Sequence, residues 1–135
     1  FILLKQEIQF LSDYIEVEQI RWENKLNVNY SRNIENENME IPPLLLIIFI
    51  ENAFKHASQS PDGKNYIHIH LSQTDNSLQL NIENSKTVQV KRENSGLGLE
   101  NARKRLDILF PRNYSLVCHS TDTTYSTQLN IKSNR

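Results

Sequence analysis

Two polar motifs in this chain carry residues suited to holding a phosphate and a metal ion. The first, FIENAFKHA, ends an apolar stretch and contains Glu51, Asn52, Lys55 and His56. On a helix Asn52, Lys55 and His56 share one face, so an amide oxygen and two potential cations line one wall of a cleft. Asparagine oxygen suits magnesium, and a lysine ammonium meets a phosphate as a point charge. The structural alternative is an ordinary i,i+4 ion pair between Glu51 and Lys55.

The second motif, SGLGLENARKRL, places two of the three glycines of the chain at the expected start of a helix. Gly96 and Gly98 allow the backbone to approach a phosphate closely, and the N-terminus of a helix favours negative charge. The alternative is a tight loop-to-helix turn, because Gly-x-Gly alone is a weak signal. Together the two motifs predict a nucleotide phosphate and its metal held between two helices.

The spacing of apolar residues predicts three helices that position these motifs. Apolar residues from Leu4 to Trp22 recur every three to four positions among acidic residues, which indicates an amphipathic helix over 1–24. Pro42 and Pro43 fit the first turn of the second helix, which carries the first motif. The third helix is expected at 99–110, where it stops before Pro111.

Alternation of apolar and polar residues predicts about five strands. They are expected at 26–30, 66–73, 77–84, 114–120 and 125–131. The second and third of these strands should form an antiparallel hairpin. Polar loops at 33–40 and 86–95 and a Pro-Asp-Gly turn at 61–63 separate the elements. This order of elements is typical of a two-layer α/β sandwich.

Composition excludes several classes of function. A length of 135 residues with 38% apolar content suits one domain with a core. A balance of 15 basic and 16 acidic residues provides no electrostatic surface for nucleic acid or for a membrane. The single cysteine, Cys118, excludes an internal disulfide. His68 and His70 alternate with apolar residues, which indicates a solvated sheet face rather than a transition-metal site.

The two motifs resemble those of a known family. FIENAFKHA resembles the asparagine box of GHKL-type ATP-binding domains, and SGLGLENARKRLDILFP resembles their glycine box in the form found in LytS-like sensor histidine kinases. The first helix resembles the segment that these kinases place between the phosphoacceptor region and the ATP-binding core. The matching positions there are Leu4, Glu7, Leu11, Tyr14, Ile15, Glu18 and Arg21. The resemblance covers nearly the whole chain.

The resemblance implies the Bergerat fold, a mixed sheet of about five strands with helices on one face and ATP between a helix and a lid. It divides the chain into a helix at 1–24, which follows an absent phosphoacceptor region, and an ATP-binding catalytic domain at 25–135. The chain starts at Phe1 without an initiator methionine and already within helical periodicity. We therefore expect it to be part of a longer protein.

Roles carry over to this chain by matched position. Asn52 resembles the magnesium ligand of the family, and Glu51 resembles the acid that orients or deprotonates a nucleophile. Lys55 and His56 would approach the phosphates. Arg105 matches a helix signature in which packing or ion pairing is expected. The other nucleotide contacts would come from the second motif, through Gly96, Gly98, Leu99 and Asn101.

The chain departs from the family where adenine is bound. The family has an Asp-x-Gly motif whose carboxylate contacts the adenine amino group, whereas this chain has Glu83-Asn84-Ser85 after Ile82. If Glu83 takes the place of the aspartate, it is one methylene too long, and Ser85 lacks the freedom of glycine. Asn84 is the alternative, through an amide oxygen that lacks the charge of a carboxylate. The short segment at 86–95 predicts an incomplete lid and weak, fast-exchanging binding.

The function implied by the resemblance is that of an enzyme, a histidine protein kinase domain that binds Mg-ATP for phosphoryl transfer to a histidine outside this chain. The cofactors would be ATP and magnesium. The expected partners are ATP or ADP, the dimerisation and phosphoacceptor region of the same kinase, and a response regulator, with the LytTR type as one candidate. The chain would be a cytoplasmic domain of a bacterial sensor kinase anchored in the inner membrane, with no contact of its own to membrane or nucleic acid.

Two other functions remain open at this point. The altered adenine motif favours an interaction or signal-relay module that keeps the fold without binding nucleotide. Glu51 beside Asn52 also allows a free-standing ATPase, in which Glu51 acts as a general base on water. Steady release of phosphate would distinguish the ATPase from a kinase domain that lacks its histidine.

Overall fold

The computed structural model of the chain describes residues 1–23, 25–57, 64–86 and 97–133. Its helices are α1 (Leu4–Arg21), α2 (Leu46–His56) and α3 (Leu97–Leu109). Its strands are β1 (Ile2–Leu3), β2 (Leu26–Ile34), β3 (Glu40–Ile41), β4 (Asn65–Thr74), β5 (Ser77–Ser85), β6 (Tyr114–Ser120) and β7 (Thr124–Lys132). No helix within these ranges is long and apolar enough to cross a membrane.

Five of the strands form one mixed sheet in the order β2-β4-β5-β7-β6. Strand β2 pairs in parallel with β4, and the other neighbours are antiparallel. The short strands β1 and β3 form a separate antiparallel pair. The five-stranded mixed sheet predicted from the sequence is therefore confirmed, including the hairpin of β4 and β5.

The two faces of the sheet differ sharply in polarity. On β5, Leu78, Leu80 and Ile82 are buried, and they pair with buried residues of β4 and β7 on the same face. Helix α2 covers this face and contacts both α1 and α3. Successive residues of a strand point to opposite sides, so the polar residues that alternate with the buried ones lie on the opposite face. That face carries Ser, Thr, Asn, Gln and His side chains. The arrangement is the expected two-layer α/β sandwich with helices on one face.

Several element boundaries differ from those predicted. The expectation that Pro42 and Pro43 lie in the first turn of a helix is wrong, since α2 begins at Leu46. The reason is local: Leu44 has a φ of 60°, which a right-handed helix cannot contain. Helix α1 starts at Leu4 rather than at residue 1, because Ile2 and Leu3 pair with β3.

Strand β2 is longer than the alternation in the sequence indicated. It continues to Ile34, into the predicted loop, because its partner β4 is long enough to pair with every added residue. Helix α3 starts at Leu97, before the expected position 99. The predicted turn at 61–63 and residues 87–95 of the predicted lid lie outside the described residues.

Candidate functional site

The residues of the first motif lie on α2 as the helical spacing predicts. Ile50, Ala53 and Phe54 are buried and fix the helix on the sheet. Glu51 is exposed, and Asn52 is partly exposed at the border of the buried face. Two further polar residues lie on the same side of the helix: Lys55, which is exposed, and His56, which is partly buried. Asn52, Lys55 and His56 are thus presented along one flank of the helix.

Asn84 lies at the end of β5 on the face that the helices cover. Its side chain is only 1% exposed, and it follows Leu80 and Ile82 on that face. Its Nδ2 group donates a hydrogen bond of 3.0 Å to the carbonyl of Ser85. This bond leaves the amide oxygen as the group that can accept a hydrogen bond from a ligand.

Glu83 lies on the opposite face of the sheet, away from the helices. Its carboxylate accepts a hydrogen bond of 2.8 Å from the Tyr66 hydroxyl. Burial, followed by this hydrogen bond, raises the pKa of Tyr66 to about 12. With His68 and His70, Glu83 lines a concavity of about 370 Å³ on the uncovered face. The strand geometry therefore opposes the assignment of Glu83 to a site between sheet and helices, and it favours Asn84.

Tyr125 contacts other residues of the candidate site, although no motif in the sequence marks it. It pairs with Asn84 across β5 and β7, and its ring centroid lies 6.4 Å from that of His56 on α2. Burial and a hydrogen bond with Cys118 raise the pKa of Tyr125, while the positive charge of Arg103 on α3 opposes the rise. His56 of α2 and Asn84 of β5 thus lie beside this tyrosine of β7, and α2 also contacts α3.

The start of α3 carries Gly98 of the second motif. Among the described residues, a side chain added at Gly98 would meet no atom within 4 Å, so the backbone there has open space on that side. The first N–H groups of any α-helix lack partners inside the helix. Leu99 packs partly against the core, whereas Glu100 and Asn101 are exposed. The other glycine of the motif, Gly96, lies outside the described residues.

Helix α1 reaches the site through Tyr14. The ring of Tyr14 packs edge-on against Phe54 of α2, with 5.7 Å between the ring centroids. Burial, followed by the negative charges of Glu18 and Glu51, raises the pKa of Tyr14 to about 12. The candidate general base Glu51 therefore lies near α1 as well as at the edge of the cleft. In the sequence, only the family match at Tyr14 pointed to this residue.

The donor atoms near the first motif suit magnesium bound together with a phosphate. Asn52 offers an amide oxygen and Glu51 a neighbouring carboxylate, and magnesium prefers oxygen ligands completed by water and substrate phosphates. In the described parts of the chain, no three His, Cys, Asp or Glu side chains converge to form a metal cage. The arrangement fits a metal ion that arrives with its nucleotide.

Comparison with known proteins identifies relatives among sensor histidine kinases. The chain is 27% identical to the sensor protein LytS of Staphylococcus epidermidis over 149 aligned positions, which cover 99% of this chain and 25% of LytS. It is 29% identical to the sensor histidine kinase BtsS of Escherichia coli, over 86% of this chain and 21% of BtsS. The chain thus spans about a quarter of the length of these curated relatives. No family model matches it.

Solved structures with the same fold are histidine kinase catalytic domains. The histidine kinase domain of a blue-light activated kinase from Erythrobacter litoralis superposes with a TM-score of 0.66 at 14% identity, covering 97% of this chain and 65% of that one. A nucleotide-free catalytic domain of the histidine kinase ThkA superposes with a TM-score of 0.59 at 16% identity, covering 96% and 93%. The chain therefore has the fold of a histidine kinase catalytic domain and is similar, along nearly its whole length, to LytS-type sensor histidine kinases.

Proposed function

We propose that this chain is the ATP-binding catalytic domain of a two-component sensor histidine kinase. It would hold Mg-ATP for transfer of the γ-phosphoryl group to a histidine outside the chain. The observation that carries the proposal is the meeting of α2 and the end of β5 at Tyr125, together with the contact between α2 and α3. Asn52 and His56 of the first motif and the start of α3 belong to the helices on the side of the sheet that Asn84 faces, which supports the proposal.

The residues of the chain would act mainly by positioning the nucleotide. The amide oxygen of Asn84 would accept a hydrogen bond from the adenine amino group, since its Nδ2 is already bonded to Ser85. Lys55, His56 and the amides at the start of α3 would surround the phosphates. Phosphoryl transfer depends on alignment and charge neutralisation more than on covalent help from the protein.

Magnesium would be held through Asn52 and would neutralise phosphate charge. Glu51 would orient or deprotonate the incoming nucleophile. The proximity of Glu51 to Tyr14 places α1 beside that carboxylate. An acidic group at this position serves a kinase and an ATPase equally, so the fate of the phosphoryl group must be measured.

Calorimetric titration with ATP and with ADP, each with and without magnesium, tests the proposal directly. We expect saturable binding of both nucleotides and tighter binding of ATP when magnesium is present. Absence of binding at millimolar nucleotide, which corresponds to a binding free energy weaker than about −4 kcal/mol, would contradict the proposal and favour an interaction module. Steady phosphate release by the chain alone would instead favour an ATPase.

A Glu83→Ala variant separates the two residues that could contact adenine. Because Glu83 lies on the uncovered face and bonds to Tyr66, we expect nucleotide affinity to stay within about twofold of wild type. The same titration with ATP and ADP measures the effect. A clear loss of affinity for both nucleotides would show that Glu83 contacts adenine and would contradict the assignment to Asn84.

The remaining proposals concern the longer protein. Similarity to sensor kinases supports a dimerisation and phosphoacceptor region in the same protein and a response regulator as the recipient of the phosphoryl group. A regulator of the LytTR type is our specific candidate. We further propose that the domain works in the cytoplasm, as part of a sensor anchored in the inner membrane.

A further inference from the structure

The start of α2 is held by side chains from two other helices. Glu7 of α1 is 1% exposed, and its two carboxylate oxygens accept hydrogen bonds of 3.1 Å each from the N–H groups of Leu44 and Leu46. Arg105 of α3 donates to the carbonyl of Pro43 at 3.1 Å and to that of Leu44 at 3.4 Å. We call Glu7, Arg105 and the segment 43–46 the entry clamp.

The clamp supplies what the local sequence lacks. A helix begins with N–H groups that have no partner inside the helix, and a carboxylate at that end also interacts favourably with the helix dipole. The residue before α2 is Leu45, whose side chain makes no capping hydrogen bond. Glu7 therefore provides the cap from a distant part of the chain, through hydrogen bonds strengthened by its charge.

The backbone at Leu44 shows that the clamp determines a specific geometry. Leu44 is a non-glycine residue with a φ of 60°, a conformation that costs about 1 kcal/mol or more and persists only where the surroundings determine it. Glu7 bonds to the N–H of this residue, and Arg105 bonds to its carbonyl. The strained residue is thus held from both sides.

The clamp lies about 1.7 helical turns from the candidate metal ligand. Leu46 begins α2, and Asn52 follows about 9 Å along the same rigid helix. Arg105 belongs to α3, the helix that begins at Leu97, next to Gly98. The clamp therefore connects the start of α2 to α3, the two helices that carry the two motifs.

We propose that Glu7 and Arg105 are positioning residues, which set the distance between Asn52 on α2 and the phosphate-binding start of α3. The inference rests on the proposed function, because it assigns the two residues a role in nucleotide binding. It differs from a purely structural role in one respect: loss of the clamp must weaken the magnesium-dependent part of ATP binding in a chain that is still folded.

Glu7→Gln is the main test variant. Its amide oxygen can accept one of the two hydrogen bonds, but its NH2 group meets the second backbone N–H donor to donor. We expect hydrogen exchange of the Leu44 and Leu46 amides, measured by NMR, to become about tenfold faster or more. We also expect the affinity for Mg-ATP to fall about tenfold, as when an outer partner of a metal ligand is removed. Affinity for ATP without magnesium should change less.

Two further variants make the result interpretable. Glu16→Gln removes the same charge from an exposed position on α1 and should match wild type in both measurements. Arg105→Lys replaces a guanidinium that bridges two carbonyls with a single ammonium, and should weaken Mg-ATP binding about threefold. Because Arg105 is partly exposed, this variant also serves if Glu7→Gln fails to fold.

The outcomes separate failure of the inference from failure of the proposed function. Wild-type protein that binds no nucleotide would overturn the proposed function and the role of the clamp together. If wild type binds Mg-ATP, and folded Glu7→Gln or Arg105→Lys binds it with unchanged affinity, the role of the clamp is overturned and the proposed function stands. An equal loss of ATP affinity with and without magnesium would also overturn the inference. The clamp would then not act on the magnesium ligand Asn52.

Discussion

Replacement of Asn52 by alanine should abolish the magnesium-dependent part of nucleotide binding and leave the melting temperature of the free chain nearly unchanged. Asn52 is partly exposed on α2, so its removal creates no cavity. Alanine is also the better helix former, by less than about 0.7 kcal/mol. The amide oxygen, by contrast, has no replacement at that position as a magnesium ligand. Titration with ATP, with and without magnesium, and a thermal melt measure the two effects.

A matched control for this variant is Asn130→Ala. Asn130 is also partly exposed, but it lies on the uncovered face, where its Nδ2 donates to the Ser115 hydroxyl at 3.2 Å. Nucleotide binding by this control should equal that of wild type. A large loss of stability in Asn52→Ala would show that Asn52 is structural, and full retention of magnesium dependence would exclude it as the ligand.

Replacement of Asn84 by aspartate should raise the preference for ATP over ITP about a hundredfold. A carboxylate accepts the adenine amino hydrogen more strongly than an amide oxygen does, which should tighten ATP binding about tenfold. Inosine carries a carbonyl at the same ring position, so a carboxylate would oppose it and weaken ITP binding. Tighter binding of ATP and weaker binding of ITP both raise the ratio of the two affinities, so the two factors multiply.

The measurement compares dissociation constants for ATP and ITP in wild type and Asn84→Asp. The variant loses the bond from Nδ2 to the Ser85 carbonyl, so the free chain should melt at a lower temperature than wild type. Added ATP should recover more of that loss than added ITP, because a ligand that binds the folded state stabilises it. An unchanged ratio would show that Asn84 does not contact the base.

Much of the fold follows from local patterns in the sequence. Alternation at Leu78, Leu80 and Ile82 identifies β5 and the face that it buries. The same alternation places Asn84 on that face and Glu83 on the other. The strand period, extended to the end of β5, therefore favours Asn84 as the residue that faces the helices. The match to the family motif, taken by position alone, points to Glu83, which lies on the uncovered face.

Other parts of the site depend on pairings that no local pattern contains. Glu7 bonds to residues 37 and 39 positions away, and Arg105 bonds to residues 61 and 62 positions away. The role of Tyr125 arises because β7 lies beside β5 in the sheet, although β6 comes between them in the sequence. A long-range hydrogen bond or strand pairing of this kind leaves no periodic signal in the residues on either side.

The strand order also has a consequence for synthesis. Strand β5 stands in the centre of the sheet, yet one of its two neighbours, β7, covers residues 124–132. Until that segment has left the ribosome, β5 is an edge strand with unpaired backbone groups, and such edges invite pairing with other chains. We therefore expect chains that stop before residue 124 to aggregate rather than to remain as a smaller folded domain. A nascent chain would be most vulnerable while β5 has emerged and β7 has not.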